Sequence, residues 1–214
     1  MSAIKTPEAS LRNSKQNRKE ILQSIRSAAI SEFSLHGYSG ASTQSIAERA
    51  GLKKSQLHYY IEDKESLYNE VLAQIFTRWE KLFILSDASH TPAQVIADYV
   101  RQKLDFALQE PELSRVFTHE LISGGLRLQP FWPQAVAATE EKVERLQAWV
   151  DAGQLRPLNP RLLIMHIWAL TQYYADYSVQ AERMLGESLQ NPDQRQKILD
   201  ELVEFVLAGC GLSR

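Results

Sequence analysis

A single cysteine in 214 residues, no apolar run long enough to span a bilayer, and no stretch of alternating apolar and polar residues define this chain by what it lacks. Cys210 by itself closes no intramolecular disulfide, which fits a reducing cytoplasm, and in its apolar terminal segment it reads as a packed small hydrophobe. The first twenty residues, MSAIKTPEASLRNSKQNRKE, are too polar for a signal peptide. Without alternation there is no case for strands. No phosphate-cradling loop or dinucleotide fingerprint is present, and the Gly124-Gly125 pair is a loop signal. The five histidines are scattered, and His119-Glu120 has neither a nucleophile nor a metal partner in sequence. An enzyme is therefore not expected, and neither is a metal or a cofactor.

Charge is scarce in sum but uneven in place. The net charge is −2, yet residues 1–62 carry nine Lys or Arg against five Asp or Glu, and residues 63–214 carry fifteen against twenty-one. A basic N-terminal part suits phosphate, and an acidic remainder suits a body that stays off DNA.

What is present is helical periodicity throughout. Ile21, Ile25, Ala28, Ala29 and Phe33 recur at helical spacing from about Asn17, and His36-Gly37 supplies a stop. Residues 1–16 are expected to form a flexible basic arm, in which Lys5, Arg12 and Lys15, with Arg18 just beyond, either track DNA or only solubilise. Asp63 is an N-cap for a linking helix through Leu67, Val71, Ile75 and Leu82 to about Leu85. Pro and Gly breaks then delimit helices near 92–109, 112–123, 133–152, 159–186 and 193–208. The expected fold is all-α, with a small three-helix domain at 17–62 and a larger helical bundle at 63–214.

Gly40 to Leu67, GASTQSIAERAGLKKSQLHYYIEDKESL, is the richest segment. Ser42 caps a helix from Thr43 whose apolar face is Ile46, Ala47 and Ala50, and Gly51 can take the positive φ of a tight inter-helix turn. A second helix anchors on Leu52 and Leu57. It turns outward Lys53, Lys54, Ser55, Gln56, His58 and Tyr59, with no acid before Glu62, as a helix that reads nucleic acid would. Lys64 sits in the first turn of the linking helix, where the N–H groups and the dipole favour an anion such as a DNA phosphate.

Ile46-Ala47, Ala50-Gly51, Leu57, Tyr60, Lys64-Glu65 and Leu67 resemble, position by position, the N-terminal domain of the TetR family of bacterial transcriptional regulators. The resemblance implies a homodimer on double-stranded operator DNA, with Thr43, Lys53, Lys54, Ser55, Gln56, His58, Tyr59, Tyr60 and Lys64 at the DNA face. Two residues depart from the pattern. Ile61 replaces a usual Phe, and Lys53 stands where the family carries Ser or Thr; a lysine accepts no N–H, so the start of that helix is expected to be less firmly fixed.

In the C-terminal half, RLLIMHIWALTQYYADYSVQ at 161–180 places Trp168, Gln172 and Asp176 at i, i+4 and i+8, one polar and aromatic stripe on an apolar helix. Tyr173, Tyr174 and Tyr177 add aromatic surface. Either a ligand or the seam of a homodimer would use it. The run I-W-A-x-T-Q-x-Y-A-D at 167–176, with Trp79 and PELSRVFTHELISGG at 111–125, is similar to a pyrimidine-responsive subgroup of the family. That likeness implies a repressor released from DNA by a small aromatic metabolite, bound by Trp79, Trp168 and Gln172, with Tyr173 and Asp176 beside them. The alternative is a regulator of the same fold with no small-molecule ligand, controlled by a protein partner.

Overall fold

The computed structural model describes the backbone of residues 7–80 and 90–212 and the side chains from Gln16 onward within those ranges. Among them there are ten α-helices, one 3-10 turn and no strand. They divide into two compact units, residues 1–72 and 73–214, and the division falls inside a helix.

The first unit holds α1 (Pro7–Gly40), α2 (Thr43–Arg49), α3 (Lys54–Tyr60) and the N-terminal half of α4 (Lys64–Glu80). The backbone of α1 is helical from Pro7, inside the segment expected as a free arm; residues 1–6 lie outside the described residues. The helix breaks at Gly37, where φ of 64° is open to glycine at little cost, and the chain turns toward α2. The core is Ile25, Ala28, Ala29, Phe33, Ile46, Leu57 and Tyr68, all buried. Tyr68 meets Phe33 edge-on at 4.7 Å and Tyr38 at 5.1 Å, pinning α4 under α1. The carboxylate of Glu32, also buried, is held by Arg49 from α2 at 2.8 Å.

The second unit contains the rest of α4, then α5 (Pro92–Gln109), α6 (Pro111–Ile122), the 3-10 turn Leu126–Leu128, α7 (Trp132–Asp151), α8 (Pro160–Asp176), α9 (Ser178–Leu185) and α10 (Pro192–Gly209). Proline opens α5, α6, α8 and α10 at the first-turn position that needs no N–H, so these boundaries follow directly from the sequence. α5 lies centrally, packed on α8 and α10, and α6 packs on α8. Ile96, Leu104, Ile164, Ile167, Val203 and Cys210 are among the core residues between them. Burial pushes the Cys210 thiol up to about 11, so it stays protonated and packs as a hydrophobe.

One expectation is corrected, and one runs beyond the described residues. The single helix at 159–186 is two, α8 and α9, broken at Tyr177, whose φ of −112° and ψ of 30° leave the helical region. The linking helix is described to Glu80; Leu82 and Leu85 lie outside the described residues.

Candidate functional site

The first unit presents α3 as a polar outer face. Ser42 Oγ accepts the N–H of Ser45 at 3.0 Å and starts α2, and Gly51 makes the turn with φ of 71°. Leu57 is buried and fixes the inner face of α3. Its position turns Lys53, Lys54, Ser55, Gln56, His58 and Tyr59 to solvent, Tyr59 with 74% of its surface exposed. Thr43 and Tyr60 are half-buried, and Arg18 of α1 stands 6.0 Å from the Tyr60 ring.

Two details differ from the reading of the sequence. The start of α3 is fixed despite Lys53, because Gln56 Oε1 accepts the backbone N–H of Lys53 at 2.8 Å, half of a capping box. That commits the oxygen of Gln56 and leaves its NH2 for an outside acceptor. Lys64 is turned inward: its ammonium donates to the carbonyls of Tyr38 at 2.8 Å and Ala41 at 3.0 Å and lies 4.3 Å from the Tyr38 ring centre. The side chain holds the α1–α2 connection, so a phosphate at the start of α4 would meet backbone N–H groups rather than this charge. Asp63 caps that start by accepting the Ser66 N–H at 2.7 Å, a bond that holds its carboxyl below the usual range.

The second unit encloses a cavity of about 330 Å³. Its walls are aromatic. Phe76 and Trp79 from α4 meet Phe117 from α6, with Trp79 and Phe117 edge-on at 4.5 Å, and Phe131 stacks flat on Phe76 at 4.7 Å. α8 contributes Trp168 and Gln172, α5 contributes Tyr99 and Lys103, and α7 contributes Lys142. Trp168 donates its indole N–H to the Tyr99 hydroxyl at 2.5 Å, which fixes the plane of the indole. Burial pushes the Tyr99 phenol up to about 12, and it is neutral at physiological pH.

The polar stripe of α8 finds all its partners within the protein. Ser114 Oγ donates to Gln172 Oε1 at 2.9 Å, and Gln172 Nε2 donates to Thr118 Oγ1 at 3.1 Å and Asp176 Oδ1 at 2.9 Å. Thr118 in turn donates to Asp176 Oδ2 at 2.9 Å. Of the residues singled out in sequence, Trp79, Trp168 and Gln172 line the cavity, while Tyr173 and Asp176 do not. Asp176 braces Gln172 from behind, and Tyr173 stacks on Tyr177 at 5.5 Å.

Sequence reading missed several of the lining residues, Phe76, Tyr99, Phe117 and Lys142 among them, and Lys103 is the one that carried a signal. The apolar stripe of α5 runs through Ile96, Tyr99, Val100 and Ala107, and Lys103 falls on it at i+4 from Tyr99. A lysine in the middle of a buried stripe is the signal that could have found it.

The comparisons with known proteins agree with this division. Residues 25–71 match the family model described as bacterial regulatory proteins, tetR family, and residues 72–213 match the YcdC-like protein, C-terminal region. The HTH-type transcriptional regulator RutR of Escherichia coli K12 is 33% identical over 208 residues, covering 97% of this chain and 96% of its own. The HTH-type transcriptional repressor NicS of Pseudomonas putida is 28% identical over 137 residues, 63% of each chain. Among solved structures, AibR in complex with isovaleryl coenzyme A and operator DNA superposes with a TM-score of 0.66 at 15% identity, covering 85% of this chain and 97% of that one. With both units matched by family models and a relative a third identical from end to end, this chain belongs to the TetR family and is a helix-turn-helix transcriptional regulator.

Proposed function

We propose that the protein is a cytoplasmic, homodimeric repressor that leaves its operator when a small, flat, ring-containing molecule fills the cavity of the second unit. The observation that carries this reading is the composition of α4. Its residues from Lys64 to Leu72 belong to the unit that bears α3, and Phe76 and Trp79, further along the same helix, are two walls of the cavity. A ligand that prefers one setting of those rings biases the helix that begins beside the DNA-reading face. By linkage, DNA then weakens the ligand by the same factor with which the ligand weakens DNA.

The aromatic walls favour a planar ring, and the similarity to RutR and the neighbour AibR, solved with a ligand and operator DNA, support a ligand-responsive regulator. A pyrimidine is the first class to test. In the dimer, one α3 per protomer enters a major groove, so the operator is a near-palindrome with half-sites about one helical turn apart, roughly 34 to 36 Å, or a multiple of it. Leu162 and Met165 of α8 and Phe205 of α10 are exposed apolar side chains that suit the protomer contact.

The test is a gel shift on the operator found by footprinting, titrated with pyrimidines and other small aromatic metabolites. Release by one of them supports the reading. A complex that no small molecule dissociates, and that only a protein from the same cell releases, favours control by a partner instead.

A further inference from the structure

Among the described residues the cavity lining contains two ammonium groups, Lys103 from α5 and Lys142 from α7, and one carboxylate, Glu80, exposed at the end of α4; Glu141, next to Lys142 on α7, acts on Lys142. Lys103 Nζ lies 4.4 Å from the centre of the Trp79 ring, and among the described residues it has neither a hydrogen-bond acceptor nor an ion pair. Lys142 Nζ donates to Ala138 O at 2.9 Å, which holds its charge at the cavity wall. The indole N–H of Trp79 is buried and likewise finds no acceptor. The amide of Gln172, also in the lining, is different in kind, because it spends both ends on Ser114, Thr118 and Asp176. Two donors without acceptors, the Lys103 ammonium and the Trp79 indole N–H, therefore stand together in the cavity lining.

An ammonium in an apolar recess is costly unless something pairs with it, and a contact with one indole face offsets only part of that cost. We propose that the missing partner is the ligand: the cavity takes a small aromatic or heteroaromatic acid, its ring against Trp79 and Trp168 and its carboxylate on Lys103, in the positive potential of Lys142. This rests on the effector reading above and narrows its class from flat rings to flat anions. The cavity volume of about 330 Å³ stands at the low end of small-molecule sites, roughly 300 to 1,000 Å³, and favours one ring over a long acyl chain.

Protonation gives the proposal a second handle. Burial, with Lys142 adding repulsion, pushes Lys103 down to about 7. Among the described residues, the other titratable groups around the cavity are Tyr99 on α5, Glu80 on α4 and Lys142 on α7, with Glu141 beside Lys142; α6 and α8 face it with Phe117, Thr118, Leu121, Trp168 and Gln172, and Asp176 bonds Gln172. A bound carboxylate restores the charged form of Lys103, so the ligand and a proton enter together when the pH exceeds that midpoint.

The experiment uses full-length protein and reads the fluorescence of the cavity tryptophans, with benzoate against benzamide and orotate against uracil as matched rings. In wild type the carboxylates bind at least about tenfold more tightly than their neutral counterparts below the Lys103 midpoint, and Lys103→Met removes that preference. Should Lys103→Met fail to fold, calorimetry on wild type above the midpoint, in buffers of different ionisation heat, shows uptake of close to one proton per carboxylate bound and none for the neutral ring. Neutral rings binding as tightly as the acids, a preference that survives Lys103→Met, absence of proton uptake, or no binding of either carboxylate overturns the proposal. Operator release is scored on the same samples by gel shift. A carboxylate that binds without releasing DNA keeps the anion site and removes the effector reading, whereas release by uracil but not orotate does the reverse.

Discussion

Gln172 donates to Asp176 one turn along α8, at 2.9 Å, while its oxygen accepts from Ser114 across the helix interface. The amide is thus a structural tie between α6 and α8. A ligand that reaches Gln172 must take over one of these bonds or leave the side chain alone.

Gln172→Leu should accordingly destabilise the empty protein, since it removes partners from Ser114 and Asp176. A loss of about 1 to 3 kcal/mol in denaturant unfolding is expected for leaving such half-buried groups unpaired. Gln172→Leu with wild-type stability would mean that the network contributes little. Operator binding without ligand should persist in either case, because the DNA face lies in the other unit.

The recognition helix can be tested at Gln56. Gln56→Ala removes the cap on the Lys53 N–H and should cost about 0.5 to 1.5 kcal/mol of stability as well as operator affinity. Gln56→Glu keeps an oxygen for the cap but replaces the outward NH2 with negative charge. Its melting temperature should match wild type while operator affinity falls, and a change at one base pair should appear in binding-site selection.

Lys64 and Lys54 should separate fold from phosphate contact. Lys64→Ala frees the carbonyls of Tyr38 and Ala41, so it should lower the melting temperature and leave the salt slope of operator binding near the wild-type value. Lys54→Ala, at an exposed position, should leave stability unchanged and reduce the slope by about one where its charge meets a phosphate. If instead Lys64→Ala flattens the salt dependence at unchanged stability, its ammonium swings out to the DNA.

Lys103 sets a pH dependence of stability with a definite sign. Its ammonium is disfavoured in the folded protein, with a midpoint of about 7 against an ordinary value of about 10.4. Below the lower value the folded state bears the full cost of a half-buried charge, and between the two it binds fewer protons than the unfolded chain, so this cost fades as pH rises. Lys103→Met should therefore raise the melting temperature most below pH 7, with the gap closing as pH increases toward the free lysine range. A constant gap would show that the amine is well solvated.

Where local chemistry decides, the sequence was legible. Proline at the first turn marks α5, α6, α8 and α10, Ser42 and Asp63 cap as their side chains allow, and Trp79, Trp168 and Gln172 reach the cavity. The break at Tyr177 was not legible, since neither glycine nor proline marks it. The partners of Gln172 were hidden for a different reason: Ser114 and Thr118 stand 58 and 54 residues away in the chain, and only the packing of α6 on α8 brings them together. Lys103 was overlooked because a lysine on a helix usually snorkels to solvent, and its neighbours on the stripe carry the contrary evidence.

The seam between the two units lies within α4, between Leu72 and Ala73, and not in a loop. Grafting one unit onto a different relative is therefore a problem of helical phase. Adding one residue between Lys64 and Trp79 rotates Trp79 by about 100° around the axis and advances it by about 1.5 Å, whereas adding seven returns it to within about 20° of its bearing at roughly 10 Å greater reach. Hybrids joined in register should keep the ability to switch, and those joined one residue out of register should still fold as two units but no longer couple ligand to DNA.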